Sequence, residues 1–296
     1  MKKEHKITTC ISSNNNLEYL KLAVKSVRQN AYYNDMPIIV YAENCTDGTD
    51  EWLANNTYNL EYYIEKNEIE KGIGGGMDFC VEKSKTEFVN ILHSDFWVAP
   101  NQDIELLKLY DEVDGRLIAS SFRVQPNIFP TDPPNRPGTV FYPVDAFGAY
   151  DDDFEQEVFD EWAIEFSRDN DIRVRKGGGA GYFCRVEDHI HIGGNDPRFE
   201  PMYWEDKDLF MRMQMEDYKF IMTSKSVIWH FASRTSRFPD STKNLTDRPP
   251  HLVEWERRAT QRFIEKWGRL PNEDEDTFVI PITGTNNPNR IEWPHE

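Results

Sequence analysis

What the chain lacks excludes several classes of protein. No apolar run approaches the ~20 residues that span a bilayer, and the charged start Met1-Lys2-Lys3-Glu4-His5-Lys6 is followed by no signal-peptide core. The expectation is a soluble, unexported, cytoplasmic protein. Positive charge is scarce: 34 Lys and Arg stand against 52 Asp and Glu, a formal net charge of -18. Nucleic acid and anionic membrane surfaces both need a basic face, so neither is expected as a main partner. A nucleotide's phosphates remain possible where a metal masks the repulsion. Cysteine is sparse, and Cys10, Cys45, Cys80 and Cys184 form no C-x-x-C pair. Three of them sit in apolar surroundings and read as reduced core thiols of a cytosolic-type protein. No internal repeat is present.

What is there suffices for a core. Across 296 residues, 39% are hydrophobic and 13% aromatic, enough for one large α/β domain or two small ones. Ile7 to Ser13, Pro37 to Ala42 and Leu60 to Ile64 are β-prone runs, each ending in polar or turn-forming residues. Leu17, Leu20, Val24 and Val27 recur at helical spacing between the first two. Strand and helix go on alternating through Pro100, which predicts a mostly parallel, Rossmann-like sheet flanked by helices.

The run Phe88-Val89-Asn90-Ile91-Leu92 ends abruptly in His93-Ser94-Asp95. Such a strand delivers a carboxylate to the mouth of an α/β sheet, where ligands collect outside the carboxyl ends of the strands. A carboxylate with an imidazole two residues before it suits a divalent cation and the phosphates that the cation carries, although Asp95 could equally cap the next turn. The glycines from Gly72 to Gly76 lack the order of a dinucleotide fingerprint and read as a loop whose backbone approaches a helix or a ligand closely, with a helix beginning after Asp78. Residues 125 to 170 are proline-rich and then acidic, an insertion that is either a solvated excursion or part of an acceptor site. Glu205, Asp206 and Asp208 precede an apolar helical face carried by Leu209, Phe210 and Met213, so they stand in a first turn, where acids also suit the helix dipole. His230 lies inside the apolar run Val227 to Phe231, as a core side chain or as a ligand. Phe220-Ile221-Met222 before it reads as a separate strand. A last helix carries Leu252, Trp255, Ala259 and Phe263 and ends near Trp267-Gly268; an acidic tail follows from Pro271.

Each of these signals is weak alone, but their order is specific. Thr8 to Ser13, Thr46-Asp47-Gly48-Thr49, the glycine run, His93-Ser94-Asp95, Trp204-Glu205-Asp206 and Trp229-His230-Phe231 recur in that order in one family. The chain resembles the family 2 inverting glycosyltransferases of GT-A fold across about residues 6 to 270, most specifically at Gly178–Phe183 and Asp196–Leu209. The resemblance implies a domain over 1–270, with a nucleotide-binding half (1–100) and an acceptor-binding half (101–270), then a tail over 271–296. It implies that Asp95 matches the last acid of a D-x-D metal motif, with His93 in place of the first acid, and that His230 completes a site for Mn²⁺ or Mg²⁺. Glu43 and Asp47 fall in the loop that reads base and ribose. Donor contacts are further implied for Ser12, Gly74, Gly75, Asp78, His93, Ser94, Gly181 and Trp204. Asp206 matches the general base of a Glu-Asp pair, with Glu205 orienting the acceptor.

The implied reaction moves a sugar from a nucleoside-diphosphate sugar, UDP-linked or dTDP-linked, to the hydroxyl of a glycan or other acceptor. Negative charge developing on the leaving diphosphate needs neutralising, and the attacking hydroxyl must lose a proton to a carboxylate. Glu205 and Asp208 are expected to raise the pKa of Asp206 if all three share one pocket. A retaining transferase or nucleotidyltransferase of the same fold, and a sugar-nucleotide-binding module without turnover, are the rival readings.

Overall fold

The computed structural model describes residues 5–127, 139–142, 144–174, 181–232, 234 and 249–270. Strand and helix alternate at the start: β1 (Ile7–Ser13), α1 (Leu17–Asn30), β2 (Ile38–Glu43), α2 (Thr49–Asn55), β3 (Leu60–Glu65), α3 (Gly72–Lys83) and β4 (Phe88–His93). There follow β5 (Phe96–Val98), α4 (Gln102–Glu112), β6 (Leu117–Pro126), β7 (Thr139–Tyr142), α5 (Val144–Phe147), α6 (Gln156–Asp169) and β8 (Arg173–Val174). The chain continues through β9 (Tyr182–Arg185), α7 (Val186–His191), a 3-10 turn (Pro197–Phe199), α8 (Glu205–Met215), β10 (Lys219–His230) and α9 (Pro250–Trp267). One sheet runs in the order β3-β2-β1-β4-β9-β6-β10-β5, with β7 beside β6 and β8 beside β10. The first four strands in that order are parallel, and β6 and β10 are parallel to each other. β9 joins the two parts antiparallel to both neighbours, and β5 closes the far edge antiparallel to β10.

Every residue of β1 and β2 is buried, as expected of strands covered on both faces. Their side chains alternate between two cores. Ile7, Ile11, Ile38 and Val40 meet Leu20, Ala23 and Val27 of α1, while Cys10, Ile39 and Tyr41 meet Met77, Cys80 and Val81 of α3. All four cysteines are free and buried.

Three local readings change. The glycine run lies inside a helix, since α3 begins at Gly72. Glycine disfavours helix, by about 1 kcal/mol relative to alanine, but here two contacts offset the cost. The Glu43 carboxylate accepts from the N–H groups of Lys71 (3.0 Å) and Gly72 (2.8 Å), neutralising the positive end of α3. And Gly76 packs so tightly on the sheet that a Cβ there would strike Ser12 Oγ and come within 2.6 Å of Tyr41 Cδ1. Secondly, Phe220–Met222 and Val227–His230 belong to one strand, β10, whose register on β6 shifts between Thr223 and Val227. Thirdly, the described part of the insertion is no solvated excursion. Phe159 and Ala163 of α6 are buried in an aromatic cluster with Phe147, Phe154, Trp97, Trp229 and Phe231. The expected tail over 271–296 and the glycines at 177–179 lie outside the described residues.

The α3 packing carries the first prediction. Gly76→Ala should lower the unfolding free energy by ~1–3 kcal/mol, the usual cost of overpacking, read from urea denaturation of the two proteins.

Candidate active site

The turn between β4 and β5 places Asp95, and strand pairing places His230. Phe96 pairs with His230 across the antiparallel β5–β10 ladder, so the residue before one lies beside the side chain of the other. His230 Nε2 stands 3.4 Å from Asp95 Oδ2. The backbone N–H of Arg234 also donates to Asp95 Oδ2 (3.2 Å), and that of Phe231 to the Asp95 carbonyl (3.1 Å). The His93 ring stacks on Phe96 at 5.0 Å, and His230 meets the same ring edge-on at 4.9 Å. Gly181 seals this stack from behind. Its φ is +83°, and a Cβ would lie 2.6 Å from Phe96 Cε2. β5 itself is anchored from outside: Asn30 Nδ2 donates to the Val98 carbonyl and to Asp160 Oδ2 (both 2.8 Å), and Trp97 Nε1 donates to Asp160 Oδ1 (2.8 Å). The α6 insertion therefore stiffens the strand that follows Asp95.

Protonation follows from burial and contact. Burial opposes ionisation of Asp95, yet the His230 and His93 imidazoles and the Arg234 N–H hold its carboxyl far below the usual range. Burial lowers the pKa of His93 and of His230, against the pull of Asp95. An ionised carboxylate beside neutral imidazoles is the state that binds a cation. His230 Nδ1 is buried with no hydrogen-bond partner among the described residues, so one more donor atom there is unsatisfied. No group of three or more His, Cys, Asp or Glu side chains is arranged around a metal position among the described residues. Asp95 and His230 thus fit a cation that takes the rest of its shell from ligand oxygens and water, as Mg²⁺ and Mn²⁺ do at phosphates.

The second centre is the start of α8. Tyr203 and Trp204 both have positive φ, +78° and +70°, which turns the chain sharply into the helix. Trp204 is fixed from α9: its Nε1 donates to Thr260 Oγ1 (2.9 Å) and its ring packs 5.2 Å from Phe263. Glu205 and Asp206 follow. Glu205 Oε2 is shielded from solvent and has no partner among the described residues. Burial first, and then the neighbouring Asp206 carboxylate, push the Glu205 carboxyl up to about 8, so it holds its proton at neutral pH. Asp206 lies close enough to His93 for its charge to raise the imidazole pKa, so the two centres are neighbours. Gly74 of α3 forms the wall beside Glu205, where a Cβ would come 3.4 Å from Glu205 Cγ.

Asp208 does not share this pocket. It is fully buried on the other flank of α8, bound to Arg212 Nε (3.0 Å), Lys266 Nζ (2.6 Å) and Trp267 Nε1 (2.9 Å). A residue three positions on in a helix need not face the same ligand when cations wait on the adjoining flank.

Other candidate donor contacts are tied inward. Glu43 caps α3, as above. Asp47 accepts from the Leu17 N–H (2.9 Å) and from Thr49 Oγ1 (2.7 Å), joining the starts of α1 and α2. Asp78 accepts from His189 Nε2 (2.7 Å), Asn195 Nδ2 (2.6 Å) and the Asn195 N–H (2.8 Å). Ser94 Oγ accepts from Asn16 Nδ2 (3.0 Å). Ser12 is buried under Gly76, and Gly75 turns toward Lys71 and Glu200. The sequence reading does not single out Asn195, His189, Arg234 or Lys266. Only the glycine-rich approach of Gly193 and Gly194 hints that something is gripped closely there.

The family model described as "Glycosyl transferase family 2" matches residues 8–190. No curated protein matches the chain in sequence. Among solved structures, GalNAc-T7 with UDP, GalNAc and Mn²⁺ superposes with a TM-score of 0.55 at 15% identity, over 78% of this chain and 44% of that one. TarS of S. aureus gives 0.54 at 11% identity, over 88% and 44%. Its 1-349 form in complex with UDP-GlcNAc gives 0.51 at 11% identity, over 88% and 73%. The chain thus spans less than half the length of the first two. At these identities the likeness establishes the fold, an α/β GT-A sheet flanked by helices.

The Glu205 environment makes a prediction about pH. A carboxyl whose folded pKa is raised contributes stability that is complete below its unfolded pKa and lost as pH rises through about 8. Glu205→Gln should therefore match the wild type near pH 5 and exceed it in unfolding free energy by on the order of 2–4 kcal/mol at pH 9. Urea denaturation of both proteins at the two pH values measures it.

Proposed function

The chain belongs to glycosyl transferase family 2, and from that membership we propose that it transfers a sugar from a nucleoside-diphosphate sugar to an acceptor hydroxyl with inversion. The observation that carries the reading is the convergence of Asp95 and His230 from distant parts of the chain, with Asp206 near enough to His93 for its charge to bear on that imidazole. UDP is the favoured nucleotide, because structures of the same fold hold UDP and UDP-GlcNAc. A dTDP-sugar is the second choice.

In this reading Asp95 and His230 hold Mn²⁺ or Mg²⁺. The cation, when bound, supplies positive charge to the departing diphosphate. The chain's own residues do the rest. Asp206, at the helix start, accepts the proton of the attacking hydroxyl as that oxygen bonds to the anomeric carbon and the bond to the diphosphate breaks. Glu205, protonated at neutral pH, donates a hydrogen bond to the acceptor and orients it instead of competing as a base. His93, stacked on Phe96, stands where the family's first metal-motif acid is expected, and its neutral ring offers a hydrogen bond to the donor. The division into a nucleotide half over 1–100 and an acceptor half over 101–270 follows the same logic, with Asp95 at the seam. Four free cysteines support work in a reducing compartment such as the cytoplasm.

Because His93 replaces an acid, a sugar-nucleotide-binding module without turnover is the second reading. UDP release from a panel of UDP-sugars with Mn²⁺ separates the two, since a pure binder releases none. Asp206→Asn should keep donor binding and lower UDP release at least ~100-fold, in the range of general-base loss. Unchanged release would remove Asp206 from the mechanism. Asp95→Asn and His230→Ala, like chelation of divalent ions, should abolish the thermal stabilisation that the UDP-sugar gives the wild type with Mn²⁺; stabilisation unaffected by all three would end the metal assignment.

A further inference from the structure

Behind the acid pair lies a buried ionic cluster that the transfer mechanism leaves unused. Lys266, near the end of α9, is 1% exposed, and its ammonium is paired with both Asp196 and Asp208, which are themselves shielded. Asp196 lines a cavity of about 200 Å³ onto which Glu205 also opens, whereas Asp208 lies on the far flank of the helix that carries Glu205. Asp208 belongs to the first turn of α8, its N–H bonded to the Trp204 carbonyl (2.9 Å). Asp196 belongs to the opposite wall, where its neighbour Asn195 donates to the Gly74 carbonyl (3.2 Å) and to Asp78. Lys266 therefore joins the helix that bears Glu205 and Asp206 to the loop that faces them.

We propose that Lys266 is a positioning residue for transfer, bridging Asp208 and Asp196 so that the first turn of α8 holds Glu205 and Asp206 at their place in the cleft. The proposal rests on the reading of that pair as the groups that bind and deprotonate the acceptor. A surface ion pair would be weak evidence for such a role, but this one is dry and spans two elements. A buried cation removed from between two carboxylates leaves charge that the remaining partners, Arg198 on Asp196 and Arg212 on Asp208, neutralise only within each element. Arg212 still ties α8 to the Ile192 and Gly194 carbonyls (2.7 and 2.6 Å), but the wall is loosened at Asp196, water reaches Glu205, and the acid pair shifts. Displacement by about 1 Å is enough to cost ~100-fold in rate. The charged groups facing Glu205 across the cavity are Lys71, Asp78, Glu82, Asp196 and Glu200, with Asp206 beside it. Replacing Lys266 leaves these residues in place but takes one partner from Asp196, whose carboxylate keeps Arg198, so a changed Glu205 titration is read together with the change in kcat.

The test uses the full chain as wild type, Lys266→Met and Lys266→Met/Asp208→Asn, the double variant removing the stranded charge so that the fold is kept. Glutamate labelled with ¹³C at the carboxyl reports the Glu205 titration, assigned by its loss in Glu205→Gln. UDP release with Mn²⁺ is followed for the UDP-sugar that the wild type turns over fastest. In the double variant, with a wild-type melting temperature, the Glu205 midpoint should fall by roughly one pH unit or more, and kcat should fall ~10–100-fold at nearly constant donor KM. A double variant that melts, titrates at Glu205 and turns over as the wild type does would overturn the proposal, leaving Lys266 a merely structural pair. Lys266→Arg, which keeps the charge and changes the reach, carries the same readouts should neither methionine variant fold. If the wild type releases no UDP from any UDP-sugar, the transferase reading fails by itself, and the Glu205 titration still decides whether Lys266 sets its environment.

Discussion

The architecture depends on one short antiparallel pairing. β5 is three residues long and, among the described residues, has β10 as its one strand partner, yet it fixes where Asp95 and His230 meet. A sheet that ran parallel throughout would leave the end of β4 pointing at solvent with no strand returning beside it. Reversal at the edge brings an imidazole from late in the chain against a carboxylate from its first third. Burial then makes the pair more than a contact: the carboxyl is held ionised and the rings neutral, the protonation states that a cation needs. The aromatic cluster under α6 and the Asn30 and Asp160 hydrogen bonds keep so short a strand in place.

The acid pair is built on the opposite principle. Asp95 is surrounded by groups that favour its charge, whereas at Glu205 burial and the neighbouring Asp206 outweigh the backbone hydrogen bonds that would favour it. Burial thereby keeps the Glu205 carboxyl protonated at neutral pH, where the same group in solvent would be ionised. Such a site needs walls that exclude water, and those walls come from two distant parts of the chain: the glycine face of α3, and the loop before the 3-10 turn with the first turn of α8. The family match stops at residue 190, so that loop and the first turn of α8, together with His230 and α9, lie beyond it.

Much of the sheet was legible in the sequence because its strands are buried on both faces and end in turn residues. Ile7 to Ser13 and Phe88 to His93 announce themselves by composition alone. The glycine run misled for a physical reason. Helix propensity counts glycine as a breaker, while the close approach of Gly76 to Ser12 and the capping by Glu43 are tertiary facts that no local window contains. Asp208 misled in the same way: a first-turn acid looks like part of the site until Lys266, Arg212 and Trp267 are seen to claim it. Lys266 itself was invisible, since a lysine on an amphipathic helix ordinarily reads as a solvated residue. Residues whose role depends on a partner from the same segment could be read; those whose partner arrives from another part of the chain could not, apart from Asp95 and His230, which the family resemblance joined.

The order of synthesis gives the β5–β10 pairing one more meaning. A ribosome releases β1 to β4 and the Asp95 turn well before β10, and domains gather structure from the N-terminus as they emerge. Until His230 follows, Asp95 has no imidazole from β10 beside it and β5 has no neighbour to pair with. A half-made chain can therefore assemble its first parallel strands and still be unable to form the Asp95–His230 pair, so the nascent protein stays chemically silent until most of its described length has been made.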